Sequence, residues 1–127
     1  MSTNEQAFGQ VQQIIHDLQS KLQEATRMVA SVQAQIQTRE REKRLAELTN
    51  KELSALQPST VTYRAVGKMF IQEPLADLTK ELSNRAVEMD KDMAALDKKR
   101  IYWERSKTEA QGNLQELIRQ IQQAQAS

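Results

Sequence analysis

The sequence predicts a mainly α protein, a long antiparallel coiled-coil helical hairpin with a short β-hairpin inserted between its arms. Apolar residues recur with alternating spacings of three and four over two long segments, and strand-forming residues are gathered in one central stretch. Only 3 glycines and 2 prolines are available for turns, and hydrophobic residues make up 39% of 127 residues. Average soluble domains are roughly 45–50% apolar. The composition therefore favours a narrow apolar seam in a single domain, residues 1–127.

The first predicted arm covers residues 7–48 and follows the spacing of a coiled coil. Its seam is Phe8, Val11, Ile15, Leu18, Leu22, Ala25, Val29, Val32 and Ile36. The same frame next reaches Arg39 and Lys43, where the apolar pattern fails, so we expect Leu45 and Leu48 to restart it in a different phase. A separate short helix is expected at 49–57, because Thr49 and Glu52 have the spacing of a capping box.

The second predicted arm covers residues 74–126, with Pro74 in the first helical turn, where its missing N–H is not needed. Its stripe begins with Leu75, Leu78 and Leu82. After a skip it continues through Ala86, Met89, Met93, Leu96, Arg100, Trp103, Lys107, Ala110, Leu114, Leu117, Ile121 and Ala124. The skip predicts a local change in supercoiling. Two arms joined by a short connector fold back most simply as an antiparallel pair, which would bring Ala25 near Trp103.

The connector, residues 60–72, is rich in strand-forming residues and predicts a β-hairpin. Its tight turn is expected near Ala65–Lys68, with Gly67 supplying a positive φ. An isolated two-stranded hairpin is marginal in water, so we expect it to pair with strands of other chains. The alternative is a hairpin tucked locally against the end of the coiled coil. The candidate assembly residues are Val61, Tyr63, Val66, Gly67, Met69, Phe70 and Ile71.

Charge and motif content argue against several functional classes. A net charge of +1 gives no field that would attract nucleic acid or a membrane surface, and the absence of cysteine excludes disulfides and thiolate metal sites. The single histidine, His16, lies beside the seam and is expected to be a surface residue. We find no catalytic constellation, so we expect neither an enzyme, a metal site nor a cofactor. The start "MSTNEQAFGQ" does not resemble a signal peptide, and we expect a cytoplasmic protein.

Three stretches resemble one known family. The segments "LAELTNKEL" before the strands, "YRAVGKMFI" within them and "KKRIYWERS" in the second arm are similar to those of β-class prefoldin subunits. The resemblance runs from about Phe8 to Leu117, and a single hairpin between the arms is the β-class pattern. It implies a subunit of an ATP-independent co-chaperone, a hexamer of α-class and β-class subunits whose hairpins form a double β-barrel. It also implies non-native clients such as actin and tubulin, which are delivered to the cytosolic chaperonin.

The free ends of the arms are the candidate client-binding tips. In an antiparallel hairpin the two ends meet, and isoleucines beside the seam widen the apolar stripe there. The candidate residues are Phe8, Val11, Ile14, Ile15, Leu114, Leu117, Ile118 and Ile121. The alternative is that these residues only close the coiled coil. At the level of the whole chain, the alternatives are an architectural tether and, more remotely, a nucleic-acid-associated hairpin.

Overall fold

The chain consists of two long helices separated by a β-hairpin. The computed structural model describes residues 3–126, so residues 1, 2 and 127 of the predicted domain lie outside the described part. The elements are α1 (Thr3–Ser54), β1 (Thr62–Val66), β2 (Met69–Glu73) and α2 (Leu75–Ala126). The two strands form one antiparallel sheet. The fold class predicted from the sequence is confirmed.

The chain divides into two compact units where the sequence predicted one domain. The first unit contains the chain up to Ala34 and from Asp97 onward, and the second contains Gln35–Leu96. The first unit therefore combines the beginning of α1 with the end of α2, and the second contains the hairpin with the adjoining parts of both helices.

The seam of the first unit follows the predicted spacing. Ala25, Val29 and Val32 of α1 and Ala110 of α2 are buried. Most other seam residues of this unit are half-buried, while Phe8 and Ala124, near the ends of the helices, are exposed. Ala25 and Val32 are the most deeply buried of these residues, so the first unit is packed most tightly around them.

The seam of the second unit differs from the prediction. Leu45 and Leu48 do not restart it, because their side chains are 68% and 56% exposed. The original frame continues instead through the half-buried Arg39 and Lys43 to the buried Ala46. Charged side chains can occupy these positions because their stems pack while their cationic groups reach carboxylates on α2: Arg39 Nε lies 3.4 Å from Asp92 Oδ2, and Lys43 Nζ lies 2.7 Å from Asp90 Oδ1.

The separate short helix predicted for residues 49–57 is absent, because α1 continues without a break to Ser54. Thr49 therefore lies inside a helix and caps nothing. No proline or glycine precedes Pro58 in this region, so nothing stops the helix earlier. The helix ends in a tight turn in which Leu56 N donates to Leu53 O, and the turn Gln57–Thr60 follows with Pro58 in its second position.

The predicted β-turn is confirmed at Gly67, whose φ is 61°. Val66 pairs with Met69, so Gly67 and Lys68 form a two-residue loop. Gly67 is the only described residue with positive φ, and glycine at the first loop position is typical of a type II′ turn. Helix α2 begins one residue later than predicted. Pro74 is its N-cap, because the Pro74 carbonyl accepts hydrogen bonds from the amides of Asp77 and Leu78.

Candidate functional site

The register of the hairpin divides its side chains between two faces. Directly opposed residues of antiparallel strands share a face, and successive residues alternate. One face, the Arg64 face, carries Thr62, Arg64, Val66, Met69, Ile71 and Glu73. The other, the Phe70 face, carries Tyr63, Ala65, Phe70 and Gln72. The predicted assembly residues are therefore distributed over both faces.

The Arg64 face is held to α2 by an ion-pair cluster. Arg64 Nε donates to Glu73 Oε1 at 2.9 Å, and Arg64 Nη2 donates to Glu73 Oε2 at 3.1 Å. The same Nη2 also donates to Glu81 Oε2 on α2. A planar guanidinium can donate two parallel hydrogen bonds to one carboxylate, as Arg64 does to Glu73. The pair therefore fixes the orientation of the Arg64 side chain in addition to its electrostatic attraction. The cluster thus links both strands to the helix that follows them.

The strand ends are joined by a further hydrogen bond. Thr62 Oγ1 donates to the Glu73 carbonyl at 2.5 Å, and both residues are half-buried. Polar contacts therefore support the base of the hairpin, where the chain enters and leaves it.

The Phe70 face is exposed to solvent in the described part of the chain. All four of its residues are exposed, and the Phe70 side chain is 75% exposed. At the turn, Val66 and Met69 of the Arg64 face are exposed as well, as is Ile71. Val61, which the sequence assigned to a strand, lies just before β1 and is also exposed. All seven predicted assembly residues are thus accessible to another chain.

A cavity of about 350 Å³ lies between the hairpin and the helices of the second unit. Leu53 of α1 and Leu78 and Leu82 of α2 contribute apolar walls, and Tyr63 and Arg64 of β1 contribute another side. Ligand pockets are usually mostly apolar clefts of roughly this size or larger. This cavity is open to solvent and adjoins the exposed hairpin.

The predicted tip residues all lie in the first unit. Val11 and Ile15 of α1 are half-buried, as are Leu114, Leu117 and Ile121 of α2. The remaining three, Phe8, Ile14 and Ile118, have exposed side chains. The ends of the arms therefore combine a seam with extra apolar surface beside it. Their contact with clients stays a prediction.

Two features of the second unit were not predicted from the sequence. The first is the cluster of Arg64, Glu73 and Glu81, although opposite charges at diagonal positions on one face of a hairpin are a detectable signal. The second is the course of the seam, in which Leu45 and Leu48 were expected. Continuing the original frame from Lys43 would have reached Ala46, which is buried.

Metal sites and membrane spans were searched over residues 3–126. No group of three or more His, Cys, Asp or Glu side chains in that range is placed to hold a metal ion. Neither helix, over the same range, has a stretch long and apolar enough to cross a bilayer.

Comparison with known proteins agrees with the two-helix arrangement. A family model described as "Prefoldin subunit" matches residues 8–121. Prefoldin subunit 1 of Arabidopsis thaliana is 31% identical over 104 residues, which cover 82% of this chain and 81% of the plant protein. Human prefoldin subunit 1 is 30% identical over 102 residues, covering 80% of this chain and 84% of the human protein.

A solved structure extends the agreement to the fold. The crystal structure of the prefoldin beta subunit from Thermococcus strain KS-1 is similar with a TM-score of 0.56 and 26% sequence identity. The match covers 91% of both chains. The family that the connector and second arm resemble is thus confirmed by sequence and by structure: the chain belongs to the prefoldin family, and it is similar there to prefoldin subunit 1 proteins and to a solved prefoldin beta subunit.

Proposed function

We propose that this chain is one of four β-class subunits in a prefoldin hexamer that also contains two α-class subunits. The observation that carries this proposal is the uncovered apolar hairpin, with Phe70 75% exposed. A two-stranded sheet leaves unpaired backbone groups on both edges, and pairing with strands of other subunits would satisfy them. The hairpins together would form the β-barrel body of the hexamer.

Co-expression with α-class subunits, followed by native mass measurement, tests the assembly. We expect a hexamer that contains this chain in a fixed stoichiometry. The variant Phe70→Glu should prevent incorporation, because it would place a charge among the paired hairpins. The matched variant Tyr102→Glu, at an exposed residue of α2, should be incorporated normally. A stable lone monomer or a parallel homodimer of the wild-type chain would instead favour an architectural tether.

The hexamer would hold non-native proteins, such as actin and tubulin, at the ends of its arms. Exposed Phe8, Ile14 and Ile118 would supply weak, shape-tolerant apolar contacts there. Holding of this kind needs no nucleotide, and the chain would neither consume ATP nor catalyse a reaction. The bound client would then pass to the cytosolic chaperonin, which places this activity in the cytoplasm.

Truncation of residues 1–12 and 115–127 tests the client-binding role. Hexamers with the truncated chain should assemble but suppress aggregation of denatured actin less well than wild type, without ATP in either case. A finer comparison is Phe8→Ser with Ile14→Ser against Val87→Ser with Ile101→Ser, since all four side chains are exposed. Only the first pair should reduce suppression. Equal activity of the truncated and intact hexamers would contradict the assignment of the tips.

Delivery is tested separately by mixing client-loaded hexamers with purified chaperonin. Transfer of labelled actin from the hexamer fraction to the chaperonin fraction is expected, with no nucleotide required for the release from the arms. Retention of the client on the hexamer at saturating chaperonin would contradict delivery while leaving assembly and holding unaffected.

A further inference from the structure

A second apolar surface lies on α1, outside the seam and outside the hairpin strands themselves. Its main members are Leu45 and Leu48, 68% and 56% exposed. At about 100° per residue, they lie roughly 120° and 180° around α1 from the centre of the local seam. The seam cannot cover them, because its own positions are occupied by Lys43 and Ala46.

The surface continues from Leu45 into a groove between the two helices. A hollow of about 180 Å³ is lined by Glu42, Leu45, Ala46 and Thr49 on α1 and by Leu82 and Arg85 on α2. Its walls are mostly apolar, and it is wide open to solvent. A single leucine-sized side chain from outside could enter it.

This groove is continuous with the surface proposed for assembly. Thr49, Leu82 and Arg85 also line the larger cavity beside β1, where Tyr63 forms part of the opposite wall. A chain that contacts the hairpin at Tyr63 can therefore reach the groove beside Leu45 by passing the Arg85 and Glu42 side chains, whose Nη2 and Oε2 atoms lie 4.0 Å apart. The leucines and the hairpin belong to the same compact unit.

The charges beside the leucines indicate the chemistry of the occupant. Arg41 lies one helical turn before Leu45, and Arg44 lies one turn before Leu48. Among the described residues, neither guanidinium has a hydrogen bond or an ion pair. The surface thus combines two leucines with two cations that are free to bind carboxylates.

We propose that Leu45, Leu48, Arg41 and Arg44 form a second contact with a neighbouring prefoldin subunit, which supplies a helix with leucine-type side chains and a carboxylate flank. Leucines spaced three apart on a helix flank suit ridge-into-groove packing of another helix. The contact would fix the direction in which each helical arm leaves the shared barrel. It rests on the proposed hexamer, and it adds to the hairpin a surface that the strands themselves do not provide.

The variant Leu45→Gln with Leu48→Gln tests the surface in the complete assembly. Because both side chains are exposed, the isolated chain should keep its helical circular dichroism. The dissociation constant for incorporation into the hexamer should rise ~10- to 100-fold, as expected for two leucines lost from an interface. The matched control, Ile101→Gln with Tyr102→Gln, replaces two exposed apolar residues of the first unit and should leave incorporation unchanged.

A photo-crosslinker tests the same contact directly, without relying on the stability of the glutamine variant. Benzoylphenylalanine at position 48 should give a covalent product with another subunit, whereas the same group at position 101 should give none. Arg41→Glu with Arg44→Glu should weaken incorporation and reduce its salt dependence, while Lys98→Glu with Lys99→Glu should not.

The outcomes separate this surface from the proposed function. If the wild-type chain forms no hexamer, both the proposed function and the proposed contact with a neighbouring subunit are contradicted. If wild type assembles but the glutamine pair assembles equally well and position 48 gives no product, the surface is overturned and the hexamer stands. Weakened assembly of the glutamine pair together with a product from position 48 supports the surface.

Discussion

Lys43 on α1 and Asp90 on α2 form an ion pair across the seam, with Nζ 2.7 Å from Oδ1. One turn earlier on α1, Arg39 Nε approaches Asp92 Oδ2 at 3.4 Å. The earlier residue on α1, Arg39, therefore pairs with the later residue on α2, Asp92. This order is that of two antiparallel helices. Polar pairs at seam positions can specify the alignment of two helices at some cost in stability. Charged pairs therefore replace apolar contacts at two seam positions of this unit.

A double-mutant cycle on Lys43→Met and Asp90→Asn should give a small favourable coupling in urea unfolding. Because both side chains are partly exposed, the coupling should shrink in 1 M salt. The pair Lys43→Met and Lys91→Met, combined in the same way, is the control and should be additive. Coupling that does not change with salt would indicate packing of the lysine stem rather than charge.

The same pair predicts the pH dependence of stability at high pH. The hydrogen bond from Lys43 to Asp90 raises the pKa of the Lys43 ammonium above its ordinary value of 10.5. A raised pKa in the folded state means that the stabilisation is complete below 10.5 and is lost as pH rises through the folded value. Urea unfolding followed from pH 9 upward should show this loss in wild type. Lys43→Met should show a smaller loss.

Gly67 and Gly112 should respond to alanine in opposite directions. Gly67→Ala places a side chain at a φ of 61°, which costs about 1–2 kcal/mol even though no atom lies within 4 Å of the new Cβ. Gly112 lies inside α2 in open space, so Gly112→Ala should stabilise by about 1 kcal/mol. Amide hydrogen exchange of β1 and β2 measures the first effect, and thermal unfolding measures the second. Unchanged protection in Gly67→Ala would contradict the turn geometry.

Ala25 should not accept a larger side chain. It is fully buried, so Ala25→Leu must displace neighbouring atoms at a cost of roughly 1–3 kcal/mol. Ala30 is exposed on the same helix, and Ala30→Leu should change the free energy of unfolding little. Chemical denaturation of both variants provides the comparison. Equal stabilities would show that the seam at Ala25 has room that the structure does not show.

Glu116 should titrate below its ordinary pKa of 4.5. Its carboxylate accepts from Arg119 Nη2 at 2.5 Å and from Nε at 3.0 Å, and this hydrogen bonding is the main cause of the lowered pKa. Its stabilising effect is therefore present above 4.5 and is lost as pH falls through the lowered value. NMR titration should show the midpoint moving upward in Arg119→Gln. Arg105→Gln should not move it.

The pairing of Ala25 with Trp103 stays a prediction that a disulfide can test. The chain has no native cysteine, so Ala25→Cys with Trp103→Cys provides a single possible bridge. Both residues belong to the first compact unit. Oxidation should give an intramolecular product, detected by mass spectrometry after proteolysis. A product from Ala25→Cys with Lys107→Cys instead would move the alignment by one helical turn.

Local signals in the sequence were sufficient for the elements of the fold. The spacing of Val29 and Val32 identifies a buried helix stripe, and Gly67 between strand-forming runs identifies a two-residue turn. These predictions depend only on backbone geometry and on the period of apolar residues. The same reasoning failed at Thr49, because a capping-box pattern inside a helix cannot be distinguished locally from one at its start.

The sequence by itself determined the two helical arms, the hairpin and the family, since each follows from short-range patterns of residues. Only the tertiary structure decided that Lys43 remains in the seam while Leu45 and Leu48 face outward. The reason is that the residue on the facing helix decides which side chain a seam position can accept. Asp90 makes a lysine acceptable there, and the two leucine side chains remain largely exposed.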